Sequence, residues 1–142
     1  MAKAGKKKVR IVAVRKERKA PRNLWASLKP GPANFAPLSP ISFLPRAAEI
    51  HPDRVAVIHG KQSITYAGFY ERARRLASAL VKRGVKNGDV VSAMLPNVPA
   101  MLDAHYGVPM AGAVLNTINT RLDADTIAYI LEHSGAKVMI TD

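Results

Sequence analysis

Seven residues carry the densest chemistry in this chain: Asn116-Thr-Ile-Asn-Thr-Arg-Leu122. They follow an apolar run of strand type and precede a helical pattern. In open α/β sheets such loops sit at the carboxyl edge, where ligands bind. Arg121 offers a guanidinium that can pair with a phosphate or carboxylate, and Asn119 and Thr120 offer neutral donors beside it. A blander reading stands next to this one. Asn119 and Thr120 can spend their side chains on local turn bonds, leaving Arg121 solvated.

Other chemistry is thin. The four histidines are His51, His59, His105 and His133. None lies three or four residues from another His, or from a Glu, on one helix face, so metal ligation is not expected. Asp103 and His105 are two apart and do not face each other on a helix. His105 reads as a core-edge residue and His133 as a residue serving the end of its helix, while Asp123 and Asp125 read as helix-start acids. No catalytic residue emerges. There is no GxxxxGK[ST] and no GxGxxG, and Gly5-Lys6 lacks the strand–loop–helix context of a phosphate loop. A stand-alone dinucleotide enzyme therefore has no support. The chain has no Cys, which removes disulfide scaffolds, thiolate zinc sites and Cys nucleophiles.

The elements that must position the loop are legible from spacing. Helix is predicted over 41–49, with Ser39 as cap, Pro40 first, and Pro45 inside as a weakening element. Strands at 55–58 and 63–65 flank His59-Gly60-Lys61-Gln62 as a β-hairpin. The surest helix is 66–83. Thr65 is its cap, Phe69, Ala73, Leu76, Ala77 and Leu80 form its apolar face, and Glu71, Arg72, Arg74, Arg75 and Lys82 take the other face. Gly84 suits its left-handed end, with Val85 touching Leu80. Gly68 cannot close a capping box. After the turn 86–89, a buried strand is predicted at 90–95. Asn97 then caps a helix toward Met110 that Gly107 and Pro109 should bend. A strand at 113–115, the loop 116–122, a helix from about Asp123 to His133 ended by Gly135, and a strand at 137–141 complete the chain. Strand, helix, strand, helix, strand makes a βαβαβ unit with a parallel sheet and right-handed crossovers. The fold class is thus α/β, an incomplete parallel-sheet βαβαβ unit preceded by a hairpin and helix. A three-stranded parallel sheet leaves an edge and an apolar face uncovered, and this predicts more chain beyond Asp142.

Charge divides the chain of 142 residues unevenly. Residues 1–22 hold ten Lys or Arg and one acid, a net of +9, and the rest carries only +3. The division expected is a basic, disordered tail at 1–22, a Pro-rich arm at 23–40 anchored by Trp25, Leu28, Phe35 and Leu38, and a partial domain at 41–142. The tail is either a solvated arm, an electrostatic contact with nucleic acid or another anionic surface, or a targeting sequence. No apolar run approaches the roughly 20 residues of a membrane span, and no secretory signal is present. Cytoplasm is the compartment expected, with the tail leaving organellar or nuclear targeting open.

Four segments carry a family resemblance: Pro37-Leu-Ser-Pro-Ile-Ser-Phe-Leu44, Pro52-Asp-Arg-Val-Ala-Val-Ile-His-Gly60, Arg75-Leu-Ala-Ser-Ala-Leu80 and the stretch 94–122. The strongest piece is Gly107-Val-Pro-Met-Ala-Gly-Ala-Val-Leu-Asn-Thr-Ile-Asn-Thr-Arg-Leu122. Together they resemble the N-terminal portion of AMP-forming acyl-CoA synthetases, the acyl-activating enzymes of the adenylate-forming superfamily. The nearest branch acts on short- and medium-chain or methylthio-substituted carboxylic acids. The resemblance covers roughly 23–142. It implies the N-terminal part of the large domain and a ligase using ATP, CoA and Mg. A carboxylate would attack the α-phosphate of ATP, and the CoA thiol would then displace AMP. It also implies that Asn119, Thr120 and Arg121 lie near the CoA tunnel. The family's Ser/Thr/Gly-rich phosphate loop, ribose-holding acid, acyl pocket and mobile-domain lysine have no counterpart here. The isolated chain is therefore expected to be catalytically incomplete and to bind no cofactor tightly. The alternative is a non-enzymatic module that uses its basic tail to contact an anionic partner.

Overall fold

The computed structural model describes residues 39–141. The basic tail 1–22 and all but the last two residues of the Pro-rich arm 23–40 lie outside the described residues.

Helix α1 (Pro40–Ile50) opens on Ser39 and Pro40 as the residue types require, but the Ser39 hydroxyl does not cap it. The Ser42 hydroxyl instead donates to the Ser39 carbonyl at 2.7 Å. Pro45 sits inside the helix without ending it. Strands β1 (Val55–His59) and β2 (Gln62–Thr65) pair antiparallel around Gly60, whose φ of 59° is the left-handed value that glycine adopts at no steric cost. Helix α2 (Tyr66–Lys82) starts on Thr65, whose hydroxyl accepts the Gly68 N–H at 3.2 Å. Gly68 thus serves half a capping box through its backbone. At the far end Gly84 is left-handed, and the Val85 N–H reaches back to the Leu80 carbonyl at 3.1 Å. Both residues are buried in one cluster, the apolar contact expected beyond such a helix end.

The parallel unit follows: β3 (Val90–Met94), α3 (Pro99–Met110), β4 (Val114–Thr117), α4 (Ala124–Ser134) and β5 (Ala136–Thr141), in sheet order β4-β3-β5. Gly135 at φ 62° ends α4 as its position predicts. The chain steps from β3 to β4 in one direction and from β4 across to β5 in the other. Right-handed crossovers then place α3 and α4 on opposite faces of the sheet. Strand alternation agrees. Val91, Ala93, Leu115, Val138 and Ile140 form one core cluster with residues of α2 and α3, and no α4 residue joins it. Ser92 and Asn116 point the other way, and the Asn116 amide donates to the fully buried Ser92 hydroxyl at 3.0 Å. A second cluster of Leu44, Ile64, Phe69 and Ala73 ties α1 and the hairpin to α2.

The α2–α3 contact is close because residue 107 is glycine. A Cβ there would meet the Ala73 carbonyl oxygen and the Leu76 side chain at 2.9 Å. The pair is also held by charge. Arg72 donates to both carboxylate oxygens of Asp103, at 3.0 Å and 3.2 Å from Nε and 2.5 Å from Nη2. The hydrogen bond to Asp103 chiefly raises the Arg72 pKa, against the opposing effect of burial. Arg72 lies on the exposed face that periodicity predicts and reaches Asp103 from there.

The carboxyl-edge crevice as candidate functional site

The two edges of the parallel sheet differ. At the amino edge the loops are tied together. The Val114 N–H donates to the Asp89 carbonyl and the Gly88 N–H to the Gly112 carbonyl, each at 2.8 Å. The Asp89 carboxylate takes the Lys86 N–H at 2.7 Å and pairs with Lys137 at 2.8 Å. These contacts, the Lys137 bond foremost, hold its pKa below the ordinary carboxylate value.

The carboxyl edge is open. The loop after β3 leaves toward α3 on one face, and the loop after β4 leaves toward α4 on the other. Adjacent strands whose exits diverge open a crevice between them, the usual ligand position in such sheets. A cavity of about 560 Å3 lies there, lined by Leu95, Pro96, Asn97 and Met101 on one side and Thr117, Ile118, Asn119, Thr120 and Arg121 on the other. That volume is within the range of about 300–1,000 Å3 typical of ligand sites.

The loop that carries the predicted residues begins later than expected. Asn116 and Thr117 belong to β4, paired with Ser92 and Ala93 of β3. Asn favours turns, but the Asn116 amide finds a partner across the sheet, which lets the polar pair extend the strand. Two anchors then fix what remains. Ile118 is buried, and its N–H donates to the Ala93 carbonyl at 2.9 Å. Asp123 caps α4, accepting the Thr126 N–H at 2.9 Å and its hydroxyl at 2.7 Å. Those two bonds, the backbone one first, keep the Asp123 pKa below its ordinary value.

Between the anchors, the Asn119 side-chain oxygen accepts the Arg121 N–H at 3.0 Å. This is the local turn bond of the blander reading, and it uses one atom of the three side chains. The Asn119 amide nitrogen, the Thr120 hydroxyl and the Arg121 guanidinium have no partner among the described residues. Among the described residues Arg121 is the one charged residue in the cavity lining. A guanidinium with neutral donors beside it favours anionic oxygens. The same lining, among the described residues, holds no carboxylate, and these residues do not fit Mg, a hard cation that takes carboxylate oxygen. Among the described residues no group of three or more His, Asp or Glu side chains could hold a metal.

Asn97 corrects the sequence reading. The residue at the α3 cap is Val98, with extended backbone at φ −116° and ψ 165°, and no side chain caps the helix. The cause is local. Proline disfavours the helical conformation of the residue before it. Pro99 therefore pushes Val98 into the extended region that an N-cap occupies, and Asn97 falls one place outside. It lies exposed on the crevice wall facing the 119–121 loop. The Pro99 spacing could have signalled this.

His105 is exposed rather than set at the core edge, and its Nδ1 bonds to the Met101 carbonyl at 2.8 Å. His133 is in the last turn of α4, stacked on Tyr129 with ring centroids 5.4 Å apart. Asp103 is the residue that sequence reasoning missed. An acid inside the apolar helix Pro-Ala-Met-Leu-Asp-Ala-His-Tyr was the available signal, since buried charge calls for a partner.

Comparison with known proteins places this geometry. The AMP-binding enzyme family profile matches residues 44–142. The acetate/butyrate–CoA ligase AAE7 of Arabidopsis thaliana, named as peroxisomal, is 51% identical over 111 residues, 78% of this chain and 20% of that protein. The peroxisomal benzoate–CoA ligase of the same plant is 50% identical over 110 residues, again 78% of this chain but 19% of that protein. The chain thus spans about a fifth of the length of these relatives. Among solved structures, the N-terminal subdomain of Klebsiella oxytoca NpsA superposes with a TM-score of 0.68 at 26% identity, covering 73% of this chain and 27% of that one. The O-succinylbenzoate CoA synthetase of Bacillus subtilis in complex with AMP gives 0.67 at 29% identity, covering 70% and 26%. With the profile match spanning well over half its residues, the chain belongs to the AMP-binding enzyme family.

Proposed function

We propose that this chain is the leading part of an AMP-forming acyl-CoA ligase, whose complete form converts a carboxylic acid through its acyl-adenylate to a CoA thioester. One observation carries the reading: about half of the residues that build the described fold are identical in relatives named as acetate, butyrate and benzoate CoA ligases. Short-chain and aromatic carboxylic acids are the substrates this favours. The peroxisomal names of several relatives favour that compartment over the cytoplasm. Residues 41–142 form the partial domain in this scheme, following the tail 1–22 and arm 23–40.

Asn119, Thr120 and Arg121 are the cofactor-facing residues. In the complete enzyme ATP supplies the adenylyl group and CoA the accepting thiol. The part of this chain is to hold anionic oxygen at the carboxyl edge. A single exposed guanidinium contributes on the order of 1 kcal/mol or less to an ion pair in water. This chain alone therefore binds CoA or ATP in the millimolar range at best, and it does not turn over. The test has two arms. Residues 1–142 assayed for carboxylate-dependent pyrophosphate release should be inactive, and full two-step activity would refute the incompleteness. A chimera with this chain replacing the matching fifth of AAE7 should form butyryl-CoA. A folded but inactive chimera would refute the ligase reading.

The +9 charge of residues 1–22 favours a second reading, in which the tail recruits nucleic acid. Binding would then fall steeply with salt as counterions are released, and deleting residues 1–22 would abolish it. Salt-independent binding, or none, removes this idea.

A further inference from the structure

We infer that Asn97 is a ligand-contacting residue of the carboxyl-edge crevice, which reads a phosphate-bearing ligand together with Arg121 on the facing wall. This rests on the ligase reading and adds a residue that the resemblance did not supply.

The argument starts from what Asn97 does not do. An Asn just before a helix ordinarily caps it, and Pro99 denies it that role by making Val98 the cap residue. Its side chain then has no hydrogen-bond partner among the described residues, while its neighbours are occupied. The Val98 N–H donates to the Pro96 carbonyl at 2.8 Å, and the Met101 N–H to the Val98 carbonyl at 3.0 Å. These short backbone bonds fix the turn and so fix where residue 97 stands. Asn97 lines the switch-point crevice from the β3 side. Thr120 and Arg121 line it from the β4 side, on a loop pinned by buried Ile118 and the Asp123 cap. Among the described residues the crevice walls thus bear one cation and several neutral donors, on the loops that leave β3 and β4, and no carboxylate. Phosphoryl oxygens are the acceptors this set fits, with the guanidinium supplying charge and the Asn97 amide and Thr120 hydroxyl supplying direction. CoA and ATP share that chemistry.

The experiment uses residues 1–142 labelled with 15N and titrated separately with CoA, ATP, pantetheine and inorganic pyrophosphate. Shifts are read at the Asn97 side-chain amide and at the 119–121 backbone. CoA or ATP should move both sets together, and pantetheine, which lacks the nucleotide phosphates, should move neither. Response to CoA alone, ATP alone, or pyrophosphate as well identifies the phosphate source. Asn97→Ala should weaken binding about two- to tenfold, the net worth of one hydrogen bond at an exposed site. Arg121→Gln should weaken it by up to about fivefold, the worth of one exposed ion pair. Residue 97 is exposed, so Asn97→Ala leaves the fold intact, and an unchanged backbone spectrum verifies this. If Arg121→Gln weakens binding and Asn97→Ala does not, the role of Asn97 is overturned and the cofactor-facing loop stands. If neither set of signals responds to any phosphate ligand at concentrations well above the millimolar range, both fall.

Discussion

Removing Arg72 should cost far more than removing the acid it binds. The Asp103 side chain is 10% exposed, while that of Arg72 is 42% exposed. Breaking a buried pair by deleting one partner costs about 3–5 kcal/mol, because the other charge is left desolvated. Partial exposure of Arg72 lets water approach once it is gone and screens the pair, which lowers the figure for Arg72→Met to about 2–3 kcal/mol. Asp103→Ala behaves differently. The Arg72 guanidinium can swing into solvent on its flexible stem, and Ala is the better helix former by roughly half a kcal/mol. Its cost should be about 1 kcal/mol or less. Urea unfolding followed by circular dichroism at 222 nm separates the two. At a slope of roughly 1–3 kcal/mol per molar, Arg72→Met moves the midpoint down by about 1 M or more. The double variant should be no less stable than Arg72→Met, since no orphaned charge remains. Equal losses for the single variants, or strict additivity in the double, would refute the claim that Asp103 desolvation dominates.

Two further predictions concern packing and pH. Gly107→Ala should destabilise by about 1–2 kcal/mol, because overpacking against the Ala73 backbone exceeds the gain in helix propensity; a raised melting temperature would show that α3 can retreat from α2 freely. Asp89 has a lowered folded-state pKa, so its contribution is present above the unfolded carboxylate value near pH 4 and is lost as pH falls through the folded value. Asp89→Asn should therefore flatten the loss of thermal stability between about pH 5 and pH 3, and an unchanged acid limb would contradict the Lys137 and Lys86 contacts.

Most elements could be read from spacing, and the misses share a cause. Helix α2 was legible because its caps, apolar face and terminal glycine all agree, and agreement across levels is what specifies structure. The α/β unit was legible from its alternation of short apolar runs and helices. The errors fell where one residue type serves two roles. Asn116 was assigned to a loop by its turn preference, yet its amide is satisfied across the sheet by Ser92. Asn97 was assigned to a cap by type, yet the conformational restriction from Pro99 acts on the residue between them. Arg72 keeps the exposed face that periodicity predicts, but its partner Asp103 lies on another helix, which spacing along α2 does not reveal. For both asparagines a tertiary partner or a neighbouring ring outweighs the local preference. The loop 119–121 could be placed from sequence, but the crevice it faces could not, because its other wall comes from a turn more than twenty residues earlier.

The same sheet explains why polar side chains without partners among the described residues gather at one edge. At the amino edge every loop described is consumed by its neighbours: Gly88 bonds Gly112, Asp89 bonds Lys86, Val114 and Lys137. Polar groups there are satisfied internally, so a ligand would have to displace bonds already made. At the carboxyl edge the topology works against such closure. Because β3 and β4 send their chains to opposite faces, their exit loops diverge and cannot bond across the gap. The polar side chains that the gap exposes, Asn97, Thr120 and Arg121, remain available to an external acceptor. A ligand that bridges the two walls would do for the carboxyl edge what Asp89 does for the amino edge. It follows that occupancy should protect the β3 and β4 exits from hydrogen exchange together. Protection of the 119–121 loop alone would mean that the ligand lies on one wall and that the divergent exits do not define its site.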